Sequence, residues 1–231
     1  MKKIVLDIET TGLNTNIGDR IIELACIELI DRKKTGKLLH MYFNPDRIMS
    51  QNVIDIHNIN NNFLLDKPRF SESIYEIMSF IKSSELIIHN APFDVKFLNY
   101  ELSLLQDNQW GKIEEHCKIF DTLKFAQKKY PGKKNNLDAL CKRYHIDNSL
   151  RIKHGALIDA KLLMKIYLKM TSGQILLFNK NSSFSKKEDI YIKNNQKFIL
   201  PVIKATKKEL KLHEFYCKML SNISGEDIRW I

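Results

Sequence analysis

The apolar positions of the first forty residues come in unbroken runs and alternations, a pattern of strands rather than helices. Residues 2–8 (KKIVLDI) read as a buried strand, Arg20–Ile30 (RIIELACIELI) as a second and Leu38–Phe43 (LLHMYF) as a third. Asp31–Lys37 (DRKKTGK) between the last two is polar with one glycine and reads as a hairpin turn. These three strands predict an antiparallel meander.

The period then lengthens. Ile74, Ile77, Met78 and Ile81 share a helical face behind a cap at Ser71. Leu86-Ile87-Ile88 is a short buried strand, and Phe93–Leu105 a helix with Phe97, Tyr100 and Leu104 on one face. Cys117–Phe120 reads as a further strand, and Asp121–Tyr130 as a helix stopped by Pro131-Gly132. Asn136 caps a helix carrying Leu137, Leu140, Cys141 and Tyr144, and Ala156–Met170 is the last helix before Gly173. A meander followed by alternating helices and strands predicts a mixed α/β sheet domain over 1–173.

Beyond Gly173 the texture changes. Asn179–Asn195 is polar and lysine-rich, the composition of a flexible linker. Thr206-Lys207-Lys208-Glu209 has the capping-box pattern, ahead of an apolar stripe at Leu212, Phe215, Tyr216 and Met219. One helix cannot bury such a stripe alone, so it packs on the domain or on a partner. The expected division is 1–173, a linker segment 174–197 and a C-terminal segment 198–231.

Composition narrows the class. At 231 residues and 44 % hydrophobic content the chain sustains one cored domain and an extension. No apolar run approaches the ~20 residues of a membrane span, and no secretory signal precedes the first strand. Cys26, Cys117, Cys141 and Cys217 are scattered, as in a protein with reduced thiols. A cytoplasmic protein without a membrane partner is expected. The net charge of +10 divides evenly about Gly173 and suits a polyanionic partner, although lysine is abundant throughout.

The candidate chemistry is acidic. Asp7 and Glu9 stand two apart in the first strand and therefore share a face beside the core. Asp94, in His89-Asn90-Ala91-Pro92-Phe93-Asp94, follows a strand and opens a helix, and Asp159 lies at the start of the last helix. Strand ends and helix starts are where mixed sheets build sites. Four converging carboxylates require cations, and hard ions such as Mg²⁺ or Mn²⁺ take oxygen ligands. Two such ions ~3.5–4 Å apart hold the attacking and leaving oxygens of a phosphoryl displacement. His154, five residues before Asp159, does not share its helical face. Gly155 places His154 on a loop, where an imidazole of ordinary pKa ~6.5 serves as a general base.

These segments resemble the DEDD exonucleases of the histidine-containing branch: D-x-E-T-T-G at 7–12, H-N-x-x-F-D at 89–94 and H-G-A-x-x-D-A at 154–160. FLLDKP (63–68), PGKKNNLDALCKRY (131–144) and IDNS (146–149) extend the resemblance to the epsilon proofreading subunits of bacterial DNA polymerase III. The resemblance implies an RNase H-like fold and 3′→5′ removal of mispaired 3′-terminal nucleotides as 5′-monophosphates. It implies metal ligands at Asp7, Glu9, Asp94 and Asp159 and a general base at His154. Asp7, Glu9, Thr10, Leu13, His57, Phe93 and Asp159 are the candidate substrate contacts. Phe93 and Leu13 suit either base stacking or ordinary core. Thr10 is placed only by family analogy, and His57 is read as structural in preference to a site role. His89 and Asn90 are read as bracing the site, and Asp121 as an N-cap rather than a fifth ligand.

Gln174-Ile175-Leu176-Leu177-Phe178 resembles the short motif by which bacterial replication proteins bind the sliding clamp, through Gln174, Leu177 and Phe178. The segment 198–231, with its stripe and Trp230, falls where epsilon subunits tether to the polymerase alpha subunit. Tethering raises the local concentration of the nuclease at a frayed or single-stranded primer 3′ end. A small third core subunit is a further partner known in that family. The other readings are an RNA-trimming exonuclease of the same superfamily and a structural brace between polymerase and clamp. P-loop, G-x-S-x-G and G-x-G-x-x-G motifs are absent, which removes motor, esterase and dinucleotide classes.

Overall fold

The computed structural model describes residues 1–107, 109–149, 151, 153–172 and 205–224. The chain divides into two compact units, Met1–Asn179 and Lys180–Ile231. The sheet of the first unit has five strands: β1 (Lys2–Thr10), β2 (Ile21–Ile30), β3 (Lys33–Tyr42), β4 (Glu85–Ile88) and β5 (Lys118–Asp121), in the spatial order β3-β2-β1-β4-β5. β1–β2 and β2–β3 pair antiparallel, while β1–β4 and β4–β5 pair parallel. The expected meander and mixed sheet are therefore present.

Alternation along β1 sorts its side chains into two layers. Ile4, Leu6 and Ile8 face a core built with Phe97, Leu98 and Leu102 of α4 (Ala91–Ser103) and with α3 (Ile74–Ile81). Val5 faces the opposite core, with Leu140 of α7 (Leu137–Arg143) and Ala160, Leu163 and Ile166 of α8 (Ala156–Thr171). Asp7 and Glu9 have the parity of Val5, so they point to the side on which α8 packs.

Several boundaries differ from the sequence expectation. The β2–β3 turn is only Asp31-Arg32, both at positive φ (48° and 65°), and β3 begins at Lys33 rather than Leu38. Two left-handed residues match the twist of a two-residue hairpin. The lysines beyond them occupy an exposed edge, where positive charge discourages strand-to-strand association. Ser71 does not cap α3; it lies within a 3₁₀ turn, Phe70–Ser73. The buried face of α4 is Phe97, Leu98, Glu101 and Leu102, whereas Leu104 is exposed. Three short helices were not expected: α1 (Gln51–His57), α2 (Asn61–Leu64) and α5 (Ile113–His116). Around α1 and α2, Ile22, Met49, Ile59 and Leu64 form a third, smaller core.

Asp121 caps α6 (Thr122–Lys129) through the Leu123 and Lys124 N–H groups, and Asn136 caps α7 through Ala139 N–H. In the second unit, α9 (Lys207–Ser224) opens with the expected capping box. Glu209 accepts from Thr206 N–H at 2.7 Å and gives its own N–H to Thr206 Oγ1 at 3.3 Å. Leu212, Phe215, Tyr216 and Met219 of its stripe are exposed. Gln174, Leu177, Phe178, the linker and Trp230 lie outside the described residues.

Candidate active site

The site gathers at the C-terminal end of β1. Its edge is a loop whose geometry depends on Gly12: a Cβ there would stand 2.3 Å from Asp19 Oδ2. That carboxylate is fixed by Thr11 Oγ1 (3.1 Å), Asn14 N–H (2.9 Å) and Arg47 Nη1 (3.1 Å). Thr10 is buried and donates its hydroxyl to Gly12 O at 2.6 Å, closing the turn. Leu13 beyond it is 80 % exposed.

Asp94 arrives on the first turn of α4 and is buried. Burial and the Glu9 charge raise its pKa and the Ile8 backbone N–H lowers it, which ties it to the end of β1. α4 is held by a bidentate pair, Arg20 Nε and Nη2 on Glu101 at 2.8 and 2.7 Å, with Ile21 N–H also donating to Glu101 at 3.1 Å. Phe93, next to Asp94, is half-buried and stacks on Phe97 with centroids 4.9 Å apart.

Asp159 is buried on the first turn of α8. His154 lies on the preceding loop, as expected, but Gly155 is in extended backbone that any residue adopts (φ −172°). Ligand atoms of Glu9, His154 and Asp159 lie within 4.8 Å of one another. His154 Nδ1 is 3.4 Å from Asp159 Oδ2, and its side chain is 51 % exposed.

Charge accounts for the electrostatics. Burial, then the charges of Asp94, Asp159, Glu9 and Glu23, push the Asp7 carboxyl well above the usual range. Burial, then Asp159 and Glu23, push Glu9 up to about 8 against the opposing pull of Arg151. Burial and the Glu9 charge likewise raise Asp94, although backbone N–H donors oppose the shift. A set of oxygen donors this short of positive charge fits hard divalent cations, and no softer thiolate ligand stands among them.

The exonuclease family profile matches residues 4–167. The DNA polymerase III subunit epsilon of Buchnera aphidicola subsp. Schizaphis graminum is 49 % identical over 225 residues, covering 94 % of this chain and 96 % of that protein. The Escherichia coli K12 subunit epsilon is 48 % identical over 177 residues, 75 % of this chain and 72 % of that one. The chain belongs to the DNA polymerase III epsilon subunits, within the exonuclease family. Among solved structures, Exonuclease X in complex with 5′ overhanging duplex DNA superposes with a TM-score of 0.54 at 26 % identity, over 74 % of this chain and 93 % of that one. The zinc-bound E. coli ExoI–ssDNA complex superposes with a TM-score of 0.63 at 19 % identity, over 77 % of this chain and 42 % of that one, a likeness of fold. The fold is RNase H-like, as the resemblance implied.

In this epsilon-family chain three residues of the sequence motifs, Glu9, His154 and Asp159, come within 4.8 Å of one another, and the charges of Asp94, Asp159 and Glu9 act on the buried carboxyl of Asp7. His57, at the end of α1, is buried; burial lowers its pKa, with Glu23 and His154 as its charged neighbours. His89 is taken up by Thr122 Oγ1 at 2.9 Å and Asp121 by backbone N–H groups, so both serve as braces.

Two residues escaped the sequence reading. Arg151 donates from Nε and Nη2 to Asp159 at 2.5 and 2.8 Å, contacts Asp138 at 2.8 Å, and places Nη2 2.9 Å from His154 Nδ1. Glu23 sits on β2 directly opposite Glu9. Its one sequence signal is an acidic residue inside a mostly apolar strand, a signal it shares with Glu28.

Proposed function

We propose that the chain is the 3′→5′ DNA exonuclease of a DNA polymerase III core, removing mispaired 3′-terminal nucleotides as 5′-monophosphates. The observation that carries this is the convergence of Glu9, His154 and Asp159 within 4.8 Å, beside Asp7 and Asp94. Asp7, Glu9, Asp94 and Asp159 would hold two divalent cations, Mg²⁺ or Mn²⁺. Bound there, the cations supply charge stabilisation for the transferred phosphoryl group and acidify water.

The chain's own groups do the rest. His154, exposed on its loop, takes a proton from the attacking water. Arg151 neutralises Asp159 and sits against His154 Nδ1. His57 accepts Ile59 N–H at Nδ1 (3.0 Å), so its neutral ring carries the proton on Nε2. Among the described residues that Nε2 has no partner, which leaves it as a donor for the terminal nucleotide. Leu13 is free to wedge a base, while Phe93 reaches substrate only with its half-buried edge.

Gln174, Leu177 and Phe178 are assigned to the sliding clamp, and 198–231 to the polymerase alpha subunit, with 174–197 as linker. The exposed stripe of α9 supports the second assignment. A small third core subunit joins them. Among the described residues no helix is long and apolar enough to cross a membrane, in keeping with a cytoplasmic replicase. The test is Mg²⁺-dependent digestion of a 3′-mispaired DNA primer, with an RNA primer of the same sequence alongside. Asp7→Ala and Glu9→Ala, folded by thermal melt, are expected to lose at least about 10³-fold in rate. Retained cleavage overturns the site, and faster digestion of RNA overturns the substrate.

A further inference from the structure

Glu23 is costly where it stands. Its side chain is 3 % exposed, and it adds a further carboxylate to a cluster that already holds Asp7, Glu9, Asp94 and Asp159. Two contacts account for its presence. Oε2 accepts the Ala156 N–H at 3.0 Å, and Oε1 lies 2.7 Å from His40 Nε2.

Ala156 is the first residue of α8. A helix start leaves its N–H groups without intrahelical partners, and a carboxylate there also complements the dipole. The N-cap of α8 is Gly155, which has no side chain for the task. Glu23 supplies from the neighbouring strand what the N-cap cannot. The helix start is thereby tied to β2, whose register with β1 sets Glu23 against Glu9.

His154 lies two residues upstream of this tie. Its own N–H donates to Ile56 O at 3.1 Å. Its backbone is thus held on one side by α1 and on the other by Glu23, while its ring is half exposed. The remainder of α8 does not depend on Glu23, because Ala160, Leu163, Ile166 and Met170 anchor it in the core. The carboxylate governs the first turn and the loop before it.

We propose that Glu23, braced by His40, is a positioning residue that sets the reach of the His154 ring toward the attacking water. This rests on His154 being the base, and the experiment separates the two claims. Glu23→Ala, Glu23→Gln, His40→Ala and His154→Ala are made in the full chain, with Glu23→Ala and His40→Ala also combined with His154→Ala. Single-turnover digestion of a single-stranded DNA oligonucleotide with Mg²⁺ gives the chemical rate and the half-saturating DNA concentration. Mn²⁺ titration by electron paramagnetic resonance gives metal affinity.

Glu23→Ala is expected to slow the chemical step about 10-fold or more, with DNA and Mn²⁺ affinities within about threefold of the parent. Glu23→Gln, whose amide oxygen can still accept the Ala156 N–H, is expected to recover most of that loss. His40→Ala is expected to slow the step about threefold. In the His154→Ala background both losses disappear, because Glu23 acts through that ring. Equal losses with and without His154 overturn the proposal, as does a folded Glu23→Ala variant at the parent rate. If Glu23→Ala gives no cooperative melt, the His40→Ala cycle decides by the same criterion. A parent-like rate in His154→Ala instead overturns the assignment of the base.

Discussion

The acidic cluster makes a signed prediction about stability. Glu9 has its pKa moved from 4.5 to about 8 in the folded chain. Between those values the folded state keeps a proton that the unfolded chain has released. Stability therefore falls as pH rises through this interval, at up to ~1.4 kcal/mol per pH unit for each such group. From pH 6.5 to 8, Glu9 alone removes about 1.6 kcal/mol, and Asp7 and Asp94 are raised in the same direction. His57 and His89, lowered by burial, act in the opposite sense; at pH 6.5 their unfolded rings are half protonated, so each still returns about 0.4 kcal/mol across the window, together less than Glu9 removes. Cys26 and Cys117, raised by burial, act only once the unfolded thiols ionise near pH ~8.5. Urea unfolding in chelator at several pH values, followed by fluorescence, measures the slope. Saturating Mn²⁺ abolishes it, because metal-bound carboxylates, like those of the unfolded chain, hold no protons across this interval. Glu9→Gln removes the Glu9 share. A flat or rising stability in chelator, or an unchanged slope in Glu9→Gln, refutes the electrostatic description of the site.

Gly12→Ala forces a methyl to within 2.3 Å of a carboxylate with three fixed partners, and overpacking of this kind costs about 1–3 kcal/mol. Differential scanning calorimetry is expected to show a Tm drop of several degrees, and an unchanged Tm means that the loop opens freely. Asp121→Ala is expected to lose about 1 kcal/mol of stability as an N-cap, with the exonuclease rate within about twofold of the parent. A loss of rate comparable to that of Asp94→Ala makes Asp121 a ligand instead.

What the sequence made legible was local. Asp7 and Glu9 stand out because nothing else in an apolar strand accounts for two carboxylates on one face, and Asp94 and Asp159 because each interrupts the apolar opening of a helix. The β3 boundary was illegible because its turn is made by Asp31 and Arg32 at positive φ, without the glycine that announces such turns. The face of α4 was misplaced because Glu101 holds a buried position there, and a carboxylate is buried only for a partner such as Arg20, 81 residues away.

The same reason hid Glu23 and Arg151. A charge in a sequence carries no mark of what will lie opposite it, and Glu23 meets Ala156 across 133 residues. Ligands can be read from a motif because their chemistry fixes residue type and local spacing together. The groups that aim those ligands can be any charge at any distance. For this chain they separate into two sets: Arg20–Glu101 sets the helix that carries Asp94, while Glu23 sets the loop that carries His154 and Arg151 holds Asp159. Asp7 and Glu9 need no such support, since β1 is paired with β2 along its whole length and with β4 as far as Val5. Substitutions in the two supporting sets should therefore disturb Asp94 or the His154–Asp159 arm separately, while leaving β1 in place.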